Sequence, residues 1–443
     1  MSDSGSEPPS TNITKGHDYR SGESGEFGLA EMLIPAISHA DLRAMPCHRL
    51  NLVIGGISRR NTFGGNATAL RFGMRMFKYF QYARIVVIYE KESEFEPDAW
   101  DGWSVSHETP ERRSIVFLGD RKISLAIGAH DVFIATFWTS VPYIRELMQR
   151  QAVSASEVNR RFVYFIQDYE PAFYPFSAPQ YLADETYSRR DDTIAVFNTR
   201  QLAEYFERIG KEFQRSYQFD PRLNPGLARV RSTLTATEKE QLILFYARTQ
   251  NHRNGLNLII EGLSLWAEQF PNAREWTVLS AGDRHPDINL GNGVIVRSCG
   301  KLSMEDYGSL MSRAWVGIFF QFTPHPGYVS HEMAEFGMRV LTNRFEGRDV
   351  SEMSPGIVAL ESLYPQSIAT ALDHYCREYA PHRTSAFPNP QPVFRGGEEE
   401  FPFAQALVKD WVGDDPDTED SVQEFDDGNS DGRLSIMGKQ QMD

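Results

Sequence analysis

The sequence predicts an α/β protein of two Rossmann-like domains that face one another across a cleft. Short β-branched and aromatic runs alternate with helical stretches in the first half of the chain, and such alternation is typical of a parallel sheet. The same alternation begins again near residue 241. Between the two halves, residues 218–236 contain prolines and little periodicity, so we interpret them as a linker.

The first half opens with an apolar strand at 48–54, a glycine-containing loop and a helix from Gly64 to about Phe80. This is the opening unit of a doubly wound domain, in which small residues let a ligand approach the backbone. Gly64 and Gly65 are therefore candidate donor-binding residues, although a glycine-rich turn alone is weak evidence. Further strands are predicted at 84–89, 114–118, 131–136, 161–166 and 192–197, with helices at 140–151 and 201–209.

The second half repeats this plan. Its predicted strands lie at 241–247, 276–281, 294–298 and 314–322, and its helices at 255–270, 303–312, 367–379 and 402–411. The run at 314–322 is apolar throughout, which is typical of a strand buried on both faces of a parallel sheet.

Composition limits the class of protein. The chain has 443 residues, of which 41% are hydrophobic, and this is enough to build two cores. Its net charge of -15 argues against a general nucleic-acid binder. Ten acidic and two basic residues lie between Asp414 and Asp443, so we predict a disordered acidic tail at 413–443 and a disordered polar segment at 1–27.

The three cysteines are too scattered for a disulfide framework or a zinc site and fit a reducing cytosol. We see no signal peptide and no run of about 18 apolar residues, so a cytoplasmic protein is expected. Residues 427–432 match the first half of a calcium loop, but Gly438 occupies the position of the bidentate glutamate. No metal site is therefore predicted.

The stretch 323–343 has the pattern of a loop, a helix, a turn and a strand. Ser330 is the expected N-cap, and Gly337 is expected to end a helix of about two turns. A helix start at a strand's carboxyl end presents free N–H groups that suit a phosphate, and Glu332, in the first turn, could accept hydroxyls from a neighbouring sugar. The alternative is an ordinary connection in which Glu332 only satisfies the helix start.

The segment 330–337 resembles the donor-site signature of the retaining family-four nucleotide-sugar glycosyltransferases. That signature has two glutamates seven residues apart; Glu332 matches the second, and Pro324 occupies the position of the first, which contacts the transferred sugar in the family. The resemblance implies the GT-B architecture, with an acceptor domain at 28–225, a donor domain at 226–395 and a helix at 396–412 that crosses back onto the first domain. It also implies that the nucleotide diphosphate is held by Gly327, Tyr328, Val329 and Ser330.

Two cations are expected at the diphosphate. Arg248 follows the first strand of the second half, and a fixed arginine there offers paired donors to phosphate, whereas the alternative is a solvated surface arginine. In the family this loop supplies an arginine and then a lysine; Arg248 fits the first, while Asn254 occupies the lysine position beside Arg253. Lys301 is our candidate for the second cation, and Arg253 is a further candidate donor-binding residue.

The segment 298–307 also resembles the family, in which this loop reads the nucleobase edge with its backbone. The resemblance assigns that role to Cys299 and Gly300. Ser303 followed by Asp306 fits a capping box variant, so part of the pattern is structural.

Residues 164–175 carry two carboxylates, Asp168 and Glu170, within an aromatic cluster. Aromatic faces and carboxylates bind sugars by stacking and directional hydrogen bonds, and the alternative is a packed loop in which Asp168 caps a turn. Together with 52–54 and 63–70, this stretch resembles the bacterial rhamnosyltransferases that extend cell-surface rhamnan from dTDP-β-L-rhamnose. The resemblance covers about residues 48–380, and Asp168 stands where many members have a histidine near the anomeric carbon.

We therefore expect a metal-independent, retaining GT-B glycosyltransferase without a cofactor, which transfers rhamnose to a glycan or lipid-linked acceptor. Arg248 and Lys301 would stabilise the leaving diphosphate, Glu332 would bind the deoxyribose 3′-hydroxyl, and Asp168 or Glu170 would orient the sugar or the acceptor. UDP- and GDP-sugars are alternative donors. The alternative from another class is a glycan-binding protein that kept the fold and lost the activity.

A local basic face in the first domain is consistent with peripheral attachment to a membrane and equally with a solvated helix surface. Its residues are Arg59, Arg60, Arg71, Arg75 and Lys78.

Overall fold

A computed structural model describes residues 42–43, 47–58, 64–106, 111–119, 125–154, 159–220, 222–234, 238–249, 251–380, 394 and 399–413. The predictions made for residues 1–27, for the acidic tail from residue 414 and for Arg59 and Arg60 lie outside the described residues.

The first domain is built on an eight-stranded parallel sheet with the strand order β10-β9-β8-β7-β2-β3-β5-β4. Two further short strands, β1 and β6, pair only with each other. The strands are β1 (Leu42–Arg43), β2 (Arg49–Ile54), β3 (Tyr82–Val87), β4 (Ser104–Val105), β5 (Arg113–Phe117), β6 (Ile127–Gly128), β7 (Asp131–Ala135), β8 (Phe162–Ile166), β9 (Thr193–Asn198) and β10 (Arg215–Phe219). The helices are α1 (Gly65–Phe77), α2 (Ser140–Ser154), α3 (Ala178–Glu185) and α4 (Arg200–Arg208).

The central strands of this sheet are buried on both faces. In β2, Leu50, Leu52 and Ile54 pack into one hydrophobic core, while Val53 packs into a second core on the opposite face. Alternate residues of a strand point to opposite faces, so a continuous apolar run is what a doubly covered parallel strand requires. The predicted strands of this half are confirmed to within two residues at each end.

The second domain has a seven-stranded sheet with the order β13-β14-β12-β11-β15-β16-β17, parallel except for the antiparallel pair β13–β14. Its strands are β11 (Glu240–Ala247), β12 (Thr277–Gly282), β13 (Ile288–Gly291), β14 (Val294–Ser298), β15 (Ala314–Ile318), β16 (Arg339–Asn343) and β17 (Ile357–Leu360). Its helices are α5 (Pro225–Thr233), α6 (Leu256–Gln269), α7 (Met304–Arg313), α8 (Tyr328–Glu335) and α9 (Pro365–Arg377). The two-domain α/β architecture of a GT-B protein is thereby confirmed.

The described residues within 218–236 are more ordered than a linker. β10 ends at Phe219 and pairs in parallel with β9 at the edge of the first sheet. Helix α5 begins at Pro225 behind an Asn224 cap, and its Leu227 and Val230 pack into a core of the second domain. Pro225, one of the prolines that suggested a linker, is the first residue of α5, a position where proline is favourable.

The last helix, α10 (Ala404–Val412), lies on the first domain. The Trp411 indole N–H donates to the Arg161 carbonyl at 2.9 Å, and Asn159 donates to the Trp411 carbonyl at 2.7 Å. Just before this helix, Glu400 forms an ion pair with Arg71 at 2.9 Å and Glu399 forms one with Arg75. Two members of the basic face are therefore paired with carboxylates of the crossing segment.

Among the described residues, no helix combines the length and apolar character that spanning a membrane requires.

Candidate functional site

The two domains meet where β8 and β15 end. The Thr323 hydroxyl donates to one oxygen of Asp168 at 2.7 Å, and the backbone N–H of His325 donates to the other at 3.2 Å. Asp168 is buried, and burial raises its pKa, while these hydrogen bonds and Arg253 oppose the rise. A carboxylate of the first domain therefore positions the loop of the second domain on both sides of Pro324.

Arg348 holds the same loop from within the second domain. Its guanidinium donates to the carbonyl oxygen of Gln321 at 2.7 Å and to that of Pro326 at 3.3 Å. Arg348 is buried, and burial lowers its pKa to about 10. The loop is thus held by a carboxylate on its donors and by a guanidinium on its acceptors.

His325 lies at the centre of this loop with one ring nitrogen unused. The backbone N–H of Gly327 donates to Nδ1 at 3.0 Å, so the neutral ring carries its proton on Nε2. Burial, Arg348 and Arg253 lower the His325 pKa to about 3, which keeps the ring neutral. Nε2 is buried and has no hydrogen-bond partner among the described residues.

Helix α8 begins at Tyr328, and Ser330 is not its N-cap. Gly327 occupies the cap position with φ of 76°, where a Cβ atom would come within 2.5 Å of the Phe319 ring. Ser330 is the third helical residue, and its hydroxyl donates back to the Gly327 carbonyl at 3.2 Å. The prediction failed because a glycine that can adopt positive φ competes with serine for the cap, and the close approach of Phe319 decides the outcome.

The start of α8 has no side-chain cap. The backbone N–H groups of its first three residues, Tyr328, Val329 and Ser330, have no carbonyl acceptor in a preceding turn of helix. The Tyr328 hydroxyl donates to Asn198 at 2.6 Å, which gives a second contact between the domains. Gly337 follows the helix with φ of 75°, as predicted for its C-terminal end.

Glu332 is the fifth residue of α8, one turn further along than predicted. It is half-buried, and burial alone raises its pKa to about 7. The Tyr307 hydroxyl, which has no hydrogen-bond partner among the described residues, feels the Glu332 charge. Glu332 and Tyr307 therefore form a polar corner with unused hydrogen-bonding capacity beside α8.

Arg248 and Lys301 are brought together at the carboxyl edge of the second sheet, as predicted. Burial and the nearby Arg248 charge lower the pKa of Lys301, whereas Asp283 raises it. Asp283 lies 3.7 Å from Arg248 and accepts the Thr249 N–H at 3.0 Å, so it positions the Arg248 loop. Both cations are well exposed, with 46% of the Arg248 side chain accessible.

Arg253 reaches across to the first domain. Its guanidinium lies 4.0 Å from the centroid of the Phe173 ring, and burial lowers its pKa against the opposing effect of Asp168. Asn254 is buried and donates to the Phe320 carbonyl at 3.1 Å and to Gln321 at 2.9 Å. The residue in the family's lysine position therefore has a structural role in this chain.

Glu170 is held inside the first domain. Its carboxylate accepts the Trp138 backbone N–H at 2.5 Å and the Tyr164 hydroxyl at 3.2 Å, and burial raises its pKa to about 8. Glu170 and Arg253 are close enough for the arginine charge to oppose this rise. Glu170 thus holds the Trp138 backbone and the Tyr164 side chain in place near Arg253.

The remaining predicted residues provide backbone surfaces. The N–H of Cys299 donates to the Ser280 carbonyl at 2.8 Å and that of Gly300 to the Ser298 hydroxyl at 3.3 Å. The Gly300 carbonyl accepts the Gly282 N–H at 3.0 Å, so hydrogen bonds on both sides of its backbone hold this loop in place. Gly64 and Gly65 form the uncapped start of α1. A Cβ atom on Gly65 would lie 2.7 Å from Gln167, the neighbour of Asp168 in sequence.

Groups of three or more metal-binding side chains do not occur within the described residues. Sequence reasoning did not find Thr323, His325, Arg348, Tyr307 or Asp283. The only local signal for any of them is the TPHPG sequence at 323–327, which indicates a constrained turn but not its partner.

Two family models match the chain in order. The model described as "WsaF, N-terminal domain" matches residues 49–200, and "WsaF, C-terminal domain" matches residues 241–373. Together the two matches cover more than half of the chain.

A curated relative, the O-antigen biosynthesis protein RfbC of Myxococcus xanthus, is 32% identical over 217 residues. The match covers 49% of this chain and 16% of RfbC, so this chain corresponds to about a sixth of that relative's length.

Several solved structures are similar in fold. Sucrose-phosphate synthase from Thermosynechococcus elongatus has a TM-score of 0.48 at 14% identity, covering 85% of this chain and 98% of its own. WaaG, a glycosyltransferase involved in lipopolysaccharide biosynthesis, has a TM-score of 0.43 at 13% identity, covering 82% and 100%. Anabaena HepE, in complex with UDP and glucose, has a TM-score of 0.45 at 11% identity, covering 85% and 97%.

Proposed function

The chain belongs to the WsaF family and is a glycosyltransferase, and from this premise we propose that it transfers L-rhamnose from dTDP-β-L-rhamnose to a hydroxyl of a glycan or lipid-linked saccharide. The product keeps the anomeric configuration of the donor, and the reaction belongs to the synthesis of a surface polysaccharide. The name of RfbC, an O-antigen biosynthesis protein, supports the pathway class. UDP- and GDP-sugars remain the competing donors.

One observation carries the proposal: the second domain gathers an uncapped helix start, two exposed cations and a half-buried carboxylate at one sheet edge. The uncapped start of α8 suits a phosphate, and Arg248 and Lys301 follow neighbouring parts of the same sheet edge, where the Arg248 charge lowers the pKa of Lys301. These are the groups that a nucleoside diphosphate needs, and Asp283 lies 3.7 Å from Arg248 among them.

Glu332 is assigned to the deoxyribose. A half-buried carboxylate whose pKa is raised by burial alone has no charge partner, and a sugar hydroxyl would supply the missing donor. The Tyr307 hydroxyl lies near it as a second group for the same ring. The carbonyl oxygen of Cys299 is assigned to the donor edge of the base, whereas that of Gly300 accepts the Gly282 N–H.

The reaction follows from the charges. The bond between C1 of the sugar and the diphosphate oxygen breaks, and its electron pair goes to the phosphate, where Arg248, Lys301 and the α8 N–H groups stabilise it. The acceptor oxygen forms its bond to C1 on the same face and loses its proton to a phosphate oxygen. These steps use the protein's cations and N–H groups and need no protein base.

Asp168 and Glu170 act as positioning residues in this account. The Asp168 oxygens are engaged by Thr323, His325 and Tyr169, so this carboxylate fixes the loop before α8. Glu170 holds the Trp138 loop in place near Arg253. We assign orientation of the sugar to the surfaces that these two residues hold in place.

Calorimetric titration with dTDP, UDP, GDP and ADP, with and without EDTA, tests the donor. We expect dTDP to bind most tightly, with an affinity that EDTA leaves unchanged and Glu332→Ala weakens. Glu305→Ala, a change in the first turn of α7, is the matched control. Binding of UDP or GDP in preference to dTDP would replace the donor, and NMR of the product's anomeric signal checks retention.

A further inference from the structure

Two aromatic side chains near the cleft are exposed to solvent. Phe176 is 98% exposed and Tyr181 is 68% exposed. They flank Ser177, which caps helix α3 by accepting the Gln180 N–H, so Phe176 is the residue before the cap and Tyr181 is the fourth residue of the helix. Apolar residues at these two positions usually pack on each other as a hydrophobic staple.

In this chain the staple is open. A closed staple would cover much of both rings, yet nearly all of Phe176 and two thirds of Tyr181 remain accessible. Exposed aromatic pairs on a fixed helix start are costly to leave in water, because each ring has a large apolar surface. The arrangement therefore offers two ring faces to something outside the chain.

The pair is continuous with the cleft. Phe173, three residues before Phe176, lies under the Arg253 guanidinium at 4.0 Å. The next residue, Tyr174, accepts the Trp138 indole N–H at 2.9 Å and lies near enough to Arg253 to contribute to the shift of the arginine pKa. An aromatic path thus leads from Arg253 in the cleft, along 173–176, to Tyr181 on the outer surface.

The segment that carries the two exposed rings contains no basic residue. Residues 168–188 contain four carboxylates, Asp168, Glu170, Asp184 and Glu185, and no lysine or arginine. Anionic lipid surfaces attract basic segments, so this surface is unsuited to them. Asp168 and Glu170 are buried and Asp184 is paired with Lys211 at 2.9 Å, so Glu185, exposed one helical turn after Tyr181, is the carboxylate available here. Neutral polyhydroxylated chains suit this surface, since a sugar ring packs its C–H face on an aromatic ring and donates hydroxyls to a carboxylate.

We propose that Phe176 and Tyr181 form a secondary binding surface for the non-reacting sugars of an oligosaccharide acceptor. The inference rests on the proposed function and deepens it, because it makes the acceptor a glycan longer than one residue. The reacting sugar lies in the cleft near Arg253, and the sugars that precede it follow the aromatic path outward. The enzyme then prefers a grown chain over a single sugar.

The test compares acceptors of different length. Rhamno-, gluco- and galacto-oligosaccharides of one to six units are titrated into the full chain, with binding followed by saturation-transfer NMR in the presence of dTDP. For the wild type we expect affinity to rise with length. Phe176→Ala and Tyr181→Ala should each weaken binding of the longest glycan about three- to tenfold and leave the single sugar unchanged.

Two matched controls keep the result specific. Tyr364→Ala removes an aromatic ring that is 79% exposed in the second domain, before α9, and should leave all affinities unchanged. Tyr181→Phe keeps the ring and should retain wild-type binding. Donor hydrolysis and dTDP affinity should be the same in every variant, because Phe176 and Tyr181 lie outside the donor site.

The outcomes separate the two proposals. Wild-type affinity that is independent of glycan length, or no binding of any glycan in the panel, overturns the secondary surface, as does an alanine variant that binds long glycans like the wild type. Loss of binding to phosphatidylglycerol vesicles in the alanine variants, with glycan binding intact, would replace it with a membrane contact. Failure of the wild type to bind or hydrolyse any nucleotide sugar, with length-dependent glycan binding retained, would overturn the proposed donor and leave the surface standing.

Discussion

The first domain has a buried charge cluster at each end of its sheet, and the two differ in how fully they are satisfied. At the amino end, Arg49 and Arg84 converge on Asp131, with Arg49 making two hydrogen bonds to it at 2.9 and 2.7 Å. Arg84 also donates to Asn51 at 2.6 Å and to the Ala126 carbonyl at 2.7 Å. None of these side chains has a buried nitrogen or oxygen without a partner among the described residues.

The cluster at the carboxyl end, which we call the open site, is less fully hydrogen-bonded. There Asp168 and Arg253 meet the loop after β15, and His325 Nε2 remains a buried donor without an acceptor in the described chain. Tyr307 and Glu332 have unused capacity in the same domain as His325. Burial of charge therefore does not identify the site in this molecule, because the Asp131 cluster is equally buried. The carboxyl-end cluster differs in that one of its own side chains, His325, has a buried donor without an acceptor among the described residues.

The largest expected effect tests the fully hydrogen-bonded cluster around Asp131. Asp131→Asn leaves two buried guanidinium groups without a counter-charge, so we expect it to lower the free energy of unfolding by about 3–5 kcal/mol. The turnover of the protein that remains folded should be unchanged. Urea denaturation and kcat at low temperature measure the two effects.

The control for Asp131→Asn is Asp192→Asn, which breaks a more exposed pair with Arg145 and should cost at most about 1 kcal/mol. A loss of turnover in Asp131→Asn without a loss of stability would show that the Asp131 cluster takes part in the reaction, which would contradict the comparison.

The second expected effect concerns the two cations of the open site. Arg248→Ala and Lys301→Ala should each lower kcat roughly 10²- to 10³-fold, because each removes a group that stabilises the departing diphosphate. Both side chains are exposed, so unfolding free energies should change by less than about 0.5 kcal/mol. Arg313→Ala, which removes an exposed arginine paired with Glu240, is the control. Turnover that survives both changes would contradict the mechanism.

Which parts of this site a sequence can predict depends on whether the signal is local. Apolar strands and the C-terminal glycine of α8 follow from neighbouring residues, and so do Arg248 and Lys301, since parallel strands bring their carboxyl ends to one edge. The start of α8 was misplaced because Phe319, a residue outside the helix, decides between Gly327 and Ser330.

Contacts between the domains carry no local signal. Asp168 and Thr323 are 155 residues apart, and the sequence of neither segment identifies the other as its partner. The edge strand β17 was missed because it has only four residues, three of them half-buried, and β10 was missed because it is mostly exposed. Short or polar edge strands take their conformation from a neighbouring strand, so periodicity does not reveal them.

The third prediction tests whether the Asp168 contact acts as a unit. Asp168→Asn weakens the acceptor for Thr323 and His325, and Thr323→Val removes the hydroxyl donor; each should lower kcat/KM about 10- to 100-fold by releasing the loop before α8. The double variant should be no worse than the poorer single variant, because both changes break the same contact. Additive losses in a double-mutant cycle would show that the two residues act separately.

The smallest effect follows from the Glu332 pKa. Burial raises it to about 7, so below that pH the carboxyl group holds a proton and accepts hydrogen bonds poorly, while above it the carboxylate accepts them well. We therefore expect dTDP affinity to rise up to about tenfold between pH 6 and pH 8. Glu332→Gln should flatten this rise and leave only the titration of the nucleotide itself.

Stability should change in the opposite direction. The folded pKa lies above the ordinary value of 4.5, so the contribution of Glu332 to folding is fully present below pH 4.5 and is lost as the pH rises through about 7. The ligand-free Glu332→Gln variant should then be more stable than the wild type at pH 8 but not at pH 4. An equal rise of dTDP affinity in both proteins would remove Glu332 from the donor site, because a carboxylate that accepts a ligand hydroxyl must transmit its own titration to binding.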